Sequence, residues 1–225
     1  MVHLPIFYVT MRKILTLILL TIFTNVRAQI PVEIFVGHEK TTVDIMFFTF
    51  FKNEQGENSH WLFFNRNRAS VDYRITSKTF LPQFGFTEAV SYNHPKLKGF
   101  APVLVGQVLS WGVYPKAGIQ YAHISKKMTI FTWLVSETLS NPDLDFFLLF
   151  RYTPKISEKL NLYTQFETGS TFPTNSTKNF SFTQRIRLGL SIKSYQFGFG
   201  SDFNQTGNSA YTKTNNIGGF IRHEF

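Results

Sequence analysis

Three residues of this 225-residue chain have the types and spacing of a nucleophilic site. His123-Ile124-Ser125 sets an imidazole two residues before a hydroxyl, and on an extended strand that spacing puts both side chains on one face. A serine nucleophile also needs a group to orient the imidazole, and Glu137 is the carboxylate that the neighbourhood offers. A second chemistry is carried by charges that alternate with apolar residues: Arg68, Asp72, Arg74, Asp145, Arg151, Glu167, Arg185, Arg187, Asp202, Arg222 and Glu224. Charges gathered in a narrow interior must be paired or hydrated, so this set reads as an interior salt-bridge network or as a basic constriction favouring anionic or polar solutes. Arg68, Arg74, Arg185, Arg187 and Arg222 outnumber Asp72 and Glu224 in the part of the set expected to converge, which predicts anion preference along any open path. His38, His60, His94 and His223 show no paired metal-ligand spacing, and no Gly-rich loop opens a helix. No cofactor or metal is expected. With no cysteine, disulfides and thiolate chemistry are excluded.

The elements that would position these groups are strands. From Phe180 the residues Phe180, Phe182, Gln184, Ile186, Leu188, Leu190 and Ile192 alternate with Ser181, Thr183, Arg185, Arg187, Gly189 and Ser191, a period of two with one oily and one wet face. After Lys193-Ser194 the alternation resumes with Tyr195, Phe197, Phe199 and Phe203 on one face, which reads as a tight hairpin. Further runs fall at 41–52, 59–65, 68–75, 83–93, 100–113, 117–124, 128–137, 143–153, 158–168 and 216–225. Together they predict about twelve strands, with turns at 66–67, 94–98, 125–127, 154–157 and 193–194 at the end that holds the C-terminus. Loops at 53–58, 76–82, 114–116, 139–142, 170–178 and 208–215 are expected at the opposite end. Trp61, Trp111 and Trp133 are read, with the tyrosines, as interfacial girdles.

Composition narrows the class. Aromatic residues make up 17% and charged residues only 16%, with a mean hydropathy of −0.07, a mixture suited to a wall with lipid on one side and water on the other. A β-sandwich or lipocalin-like barrel of this length would show more Lys and Glu on its outer faces. The net charge of +9 and pI near 9.7 raise nucleic-acid binding, but no basic helix, zinc spacing or aromatic RNA-binding motif accompanies them. Anionic lipid headgroups or anionic solutes are the expected partners of that charge.

Residues 1–28 read as a signal peptide. Arg12-Lys13 precede an apolar run, 14–24, too short to span a membrane as a helix, and Val26-Arg27-Ala28 is followed by Gln29 as the expected mature terminus. Met11 starts a better signal on its own, so it is the candidate true start. Residues 29–225 are expected to form one domain.

That domain ends Phe220-Ile221-Arg222-His223-Glu224-Phe225, and its terminal aromatic strand resembles the last strand of bacterial outer-membrane β-barrels. The resemblance implies an all-β, closed antiparallel transmembrane barrel in the bacterial outer membrane, surrounded by outer-membrane lipids. It also implies that Phe225 is the signal read by the barrel-assembly machinery. The His123-x-Ser125 pair is similar to one carried by the outer-membrane phospholipases, also twelve-stranded, but Lys126-Lys127 replace the Asn-Gly that follows the serine in that family. The chain is therefore read first as a small passive channel or uptake barrel for small polar or anionic solutes. The alternative is a non-conducting structural or assembly-partner barrel of an envelope complex, and the remote one is a lipid hydrolase. On the strand from Phe180, Leu188→Arg is expected to strand a charge in lipid, whereas Arg187→Leu is expected to alter the lumen and spare insertion.

Overall fold

The computed structural model describes residues 30–73, 83–110, 112–139 and 142–225. The signal segment, its Ala28/Gln29 boundary, Arg74, most of the loop before Gln83 and Trp111 lie outside these residues. Twelve antiparallel strands form one closed ring. In chain order they are β1 (Pro31–Gly37), β2 (Lys40–Lys52), β3 (Asn58–Asp72), β4 (Gln83–Tyr92), β5 (Phe100–Leu109), β6 (Gly112–Ile124), β7 (Met128–Glu137), β8 (Leu144–Tyr152), β9 (Asn161–Phe172), β10 (Phe180–Ile192), β11 (Tyr195–Gly207) and β12 (Tyr211–Glu224). Each strand pairs with its sequence neighbours, and β1 pairs with β12 from Pro31↔Glu224 to Gly37↔Gly218. The described chain therefore begins and ends at one end of the ring, called the near end below.

The strand number agrees with the expected twelve because two differences offset each other. β1 was not among the alternating runs: it is short, and its inward positions mix Glu33 with Phe35. The expected turn at Arg66-Asn67 does not exist, since 59–65 and 68–72 belong to a single strand, β3. The polar run Asn65-Arg66-Asn67-Arg68 hid the alternation because it places polar groups on both faces of the wall. Without that turn the 53–57 connection falls at the near end rather than the far end. Beyond it the expected sidedness matches the ring, although Tyr114 to Lys116 lie within β6 and the last hairpin loop is only 208–210. Near-end connections such as 153–160 and 93–99 are as long as several at the far end, so loop length does not separate the two ends.

The wall is oily outside. Ile34, Leu104, Ile119, Leu134, Ile186, Leu188, Ile217 and Ile221 point outward and are exposed. They lie between a near-end belt of Trp61, Tyr92, Phe100, Tyr152 and Tyr195 and a far-end belt of Tyr73, Phe84, Phe172 and Tyr211. Leaving this much apolar surface uncovered is stable only where the surroundings are hydrocarbon, and aromatic rings favour its two polar boundaries.

Seam contacts close the ring. The Asn216 side chain of β12 accepts from the backbone N–H of Glu39 and Lys40, at 2.9 and 3.2 Å, and donates to the Lys40 carbonyl at 3.0 Å. A Cβ on Gly37 would lie 2.1 Å from the Asn216 Oδ1, so only glycine leaves room for this side chain to cap the β1–β2 turn.

Candidate functional site: the barrel lumen

Inward side chains come from alternate positions of every strand, and they fill the middle of the ring in two parts. On one side lies an aromatic layer. Phe64 of β3 stacks on Phe131 of β7 with ring centroids 5.1 Å apart and planes at 15°, and it meets Trp133 edge-on at 5.3 Å. Phe147 of β8 and Phe48 of β2 complete the layer, with Met46, Val103, Val105 and Leu149 packed around it. Trp133 is thus inside the barrel rather than in a girdle, because β7 presents its odd-numbered residues inward.

On the other side lies a chain of ion pairs in which charge alternates at every step. It runs Arg68, Asp44, Arg66, Glu167, Arg185, Asp202, Arg187, Glu33. Arg66 contacts Asp44 and Glu167 at 2.7 Å each, Arg185 lies 3.5 Å from Glu167 and 3.7 Å from Asp202, and Arg187 reaches Asp202 at 2.8 Å and Glu33 at 2.9 Å. Strands β3 and β9 are six apart in the ring of twelve, so the Arg66–Glu167 contact crosses the full width of the lumen. The Arg187 guanidinium carbon also lies over Phe35, 4.0 Å from the ring centroid. Opposite it in register stands Gly200, where a Cβ would come within 2.7 Å of the Arg187 Cδ. The missing side chain lets the guanidinium reach both carboxylates.

Above and below this waist are two cavities that share no lining residue. The far-end cavity is about 290 Å³, and its charges are Arg66, Arg68, Lys116, Asp145 and Arg185. Lys116 pairs with Asp145, and the arginines belong to the ion-pair chain, so this cavity is close to balanced. The near-end cavity is about 890 Å³ and is lined by Lys52, Lys126, Lys127, Arg151, Lys193 and Arg222 against one acid, Glu224. Arg222 is only 3% exposed; its Nη2 lies 3.4 Å from Glu224, while its Nε has no acceptor. Arg151 donates from Nε to Gln165 at 2.8 Å and holds its Nη2 without a partner.

Of the eleven expected lumen charges, Arg74 lies outside the described residues and the other ten fall as follows. Arg68, Glu167, Arg185, Arg187 and Asp202 belong to the waist chain, Asp145 lies in the far cavity, and Arg151, Arg222 and Glu224 lie in the near one. Asp72 stands opposite Lys40 at the far end of β3. Glu33, Asp44, Arg66 and Lys116 were missed. In the sequence β1 shows no clean alternation, Arg66 falls in a run that reads as a turn and Lys116 in one that reads as a loop, and Phe48 and Phe50 obscure the Asp44 face. The surplus of five bases over two acids expected among these strands is not found at the waist, because Glu33 and Asp44, together with Glu167 and Asp202, answer Arg66, Arg68, Arg185 and Arg187 there. The unanswered positive charge is at the near end instead.

His123, Ser125 and Glu137 do not assemble. His123 is exposed on the outer face of β6, and Ser125 lies in the turn, where its Oγ donates to the Met128 carbonyl at 2.8 Å and accepts from the Met128 N–H at 3.1 Å. Glu137 is at the far end of β7, seven residues beyond Ile130, the register partner of His123, or roughly 23 Å along the strand.

A closed, even-numbered antiparallel ring with an apolar outside and a charged, partly aromatic lumen is a transmembrane β-barrel of the bacterial outer-membrane kind. Among solved structures the chain is similar to the KdgM porin, with a TM-score of 0.49 and 10% identity over 87% of this chain and 98% of that one. It is also similar to the KdgM porin in complex with disordered oligogalacturonate, with a TM-score of 0.46 and 8% identity over the same shares. A mutant of the Rhodopseudomonas blastica porin aligns over 87% of this chain with a TM-score of 0.26 and 10% identity. The likeness is one of barrel architecture. No family model matches the chain, and no curated protein sequence does.

Proposed function

We propose that the chain is a narrow outer-membrane channel for small anionic solutes, entered through its basic near-end cavity and held shut at the waist. The observation that carries the reading is the near-end lining of six bases against one acid, with buried N–H groups on Arg151 and Arg222 that have no acceptor. A desolvated guanidinium without an acceptor is costly, and a carboxylate or phosphate entering from water supplies one. The waist favours a second reading, a barrel that conducts nothing. Its closing contacts are side chains, however, and Phe64 and the Arg66–Glu167 pair can part without breaking the wall. In this proposal residues 1–28 are removed after export, the near end faces the periplasm, lipid surrounds the belt, and the assembly machinery reads Phe225.

The test is conductance and reversal potential in planar bilayers, for the wild type and for Phe64→Ala. The expected result is low conductance for the wild type and higher conductance for the variant. Both currents should prefer anions, and the preference should fall as salt screens the cavity. Cation preference overturns the anion reading, and silence from both proteins leaves the sealed barrel.

A further inference from the structure

The outer wall carries one feature that lipid does not explain. Apart from Lys213 near the far rim, Glu88 is the charged side chain that the described strands turn outward. It sits midway along β4, four residues from Phe84 in the far belt and four from Tyr92 in the near belt, and so at about mid-depth. Beside it on β3 the outer wall presents Asn65 and Asn67, again between hydrophobic residues. Asn65 donates to Glu88 Oε1 at 3.4 Å, and the Oδ1 atoms of both asparagines are buried without a partner. On the other side of Glu88 the wall is hollow. A groove of about 430 Å³ is lined by Phe63, Glu88, Val90, Leu104, Gly106 and Pro115, among others, and a Cβ on Gly106 would meet nothing within 4 Å. Asn65, Glu88, Gly106 and Pro115 are successive register partners across β3, β4, β5 and β6, so patch and groove form one continuous band.

A carboxylate and two amides facing hydrocarbon are unfavourable, and such groups in membrane proteins turn toward protein or water. We infer that this band is a contact surface between two copies of the chain in the same membrane. The polar patch is self-complementary: the exposed Glu88 offers acceptors, and the asparagine amides beside it offer donors. An axis along the membrane normal between β3 and β4 sets Asn65 of one copy against Glu88 of the other, and the converse, as an isologous contact requires. A partner offering a cation would have to be a different molecule, since the described outward wall of this chain supplies none at that depth. The inference does not depend on what, if anything, passes through the lumen.

The test is the mass of the full-length purified protein in density-matched detergent by sedimentation equilibrium, for wild type, Glu88→Leu and Asn65→Leu. The wild type should associate to a dimer as the protein-to-detergent ratio rises, and each variant should weaken association about tenfold, the scale of polar contacts between membrane helices. Folding is followed separately by the shift in gel mobility on heating. Glu88→Leu should fold into lipid vesicles at least as completely as the wild type, because it takes a charge out of the lipid-facing wall. A wild type that stays monomeric throughout overturns the inference, as does a dimer that both variants leave intact.

Discussion

Replacing Arg187 with leucine tests whether the ion-pair chain holds the barrel together or merely occupies its lumen. The side chain is 2% exposed, contacts Asp202 at 2.8 Å and Glu33 at 2.9 Å, and lies 4.0 Å above the Phe35 ring. Without it, among the described residues, Glu33 keeps no cation within ion-pair distance and Asp202 keeps only Arg185, at 3.7 Å. Removing one partner of a buried pair costs about 3–5 kcal/mol, mostly the desolvation of the carboxylate left behind. That is a large share of the roughly 5–15 kcal/mol by which folded proteins are stable. Sequence alone predicts that Arg187→Leu spares insertion; the packed surroundings of the guanidinium reverse that expectation. The assay is equilibrium urea unfolding in lipid vesicles, followed by tryptophan fluorescence, for Arg187→Leu, Glu33→Leu and the double variant. The double variant should recover about 1–3 kcal/mol relative to the sum of the singles, since the two side chains share a contact. A single variant within about 0.5 kcal/mol of the wild type, or strict additivity, refutes the reasoning.

Leu188→Arg, one residue on and facing outward at 55% exposure, should cost about 2–4 kcal/mol in the same assay by setting a charge in hydrocarbon; an unaltered unfolding midpoint would place this face elsewhere. Asn216→Ala removes the three hydrogen bonds to the β1–β2 turn and leaves buried backbone groups without partners, so a loss of about 1–3 kcal/mol is expected, read as a lowered temperature for the heat-induced gel shift. Deleting Phe225 should lower the amount of barrel recovered in the outer membrane while folding of the purified chain into vesicles is less affected; equal recovery would show the terminal ring to be incidental.

Where one face of a strand is wet and the other oily, the sequence is legible: β10 is read from it residue by residue, and β11 and β12 apart from their far-end residues 205–207 and 211–215. Where both faces carry the same kind of group, it is not. The Asn65 to Arg68 run is polar on both sides of the wall and was mistaken for a turn. Phe47 with Phe48, and Phe63 with Phe64, are oily on both sides, which concealed that Phe48 and Phe64 build the closure of the lumen. Period-two alternation reports that two faces differ, not which contacts form across a lumen; the Arg66–Glu167 pair joins strands half a ring apart and has no local signature. Side-chain pairing of that kind decides whether the charges balance and is not legible in the sequence, so the surplus expected to include Arg68, Arg185 and Arg187 is answered at the waist by acids from other strands.

The seam between β1 and β12 has a kinetic meaning. Eleven of the twelve pairings join neighbours along the chain and can form as hairpins soon after their two strands meet; the twelfth joins its extremes. Bringing distant segments together carries a chain-entropy cost that no hairpin meets, and such non-local pairings are the slow ones. Until that moment the sheet has two raw edges, open to any other strand nearby. Because the Asn216 clasp can form only when β12 lies beside the β1–β2 turn, it arrives with the last event of folding and acts as the latch on a finished ring. A chain cut short before Asn216 keeps its hairpins but loses both the clasp and the β12 residues that pair with β1, so its sheet is left with two open edges.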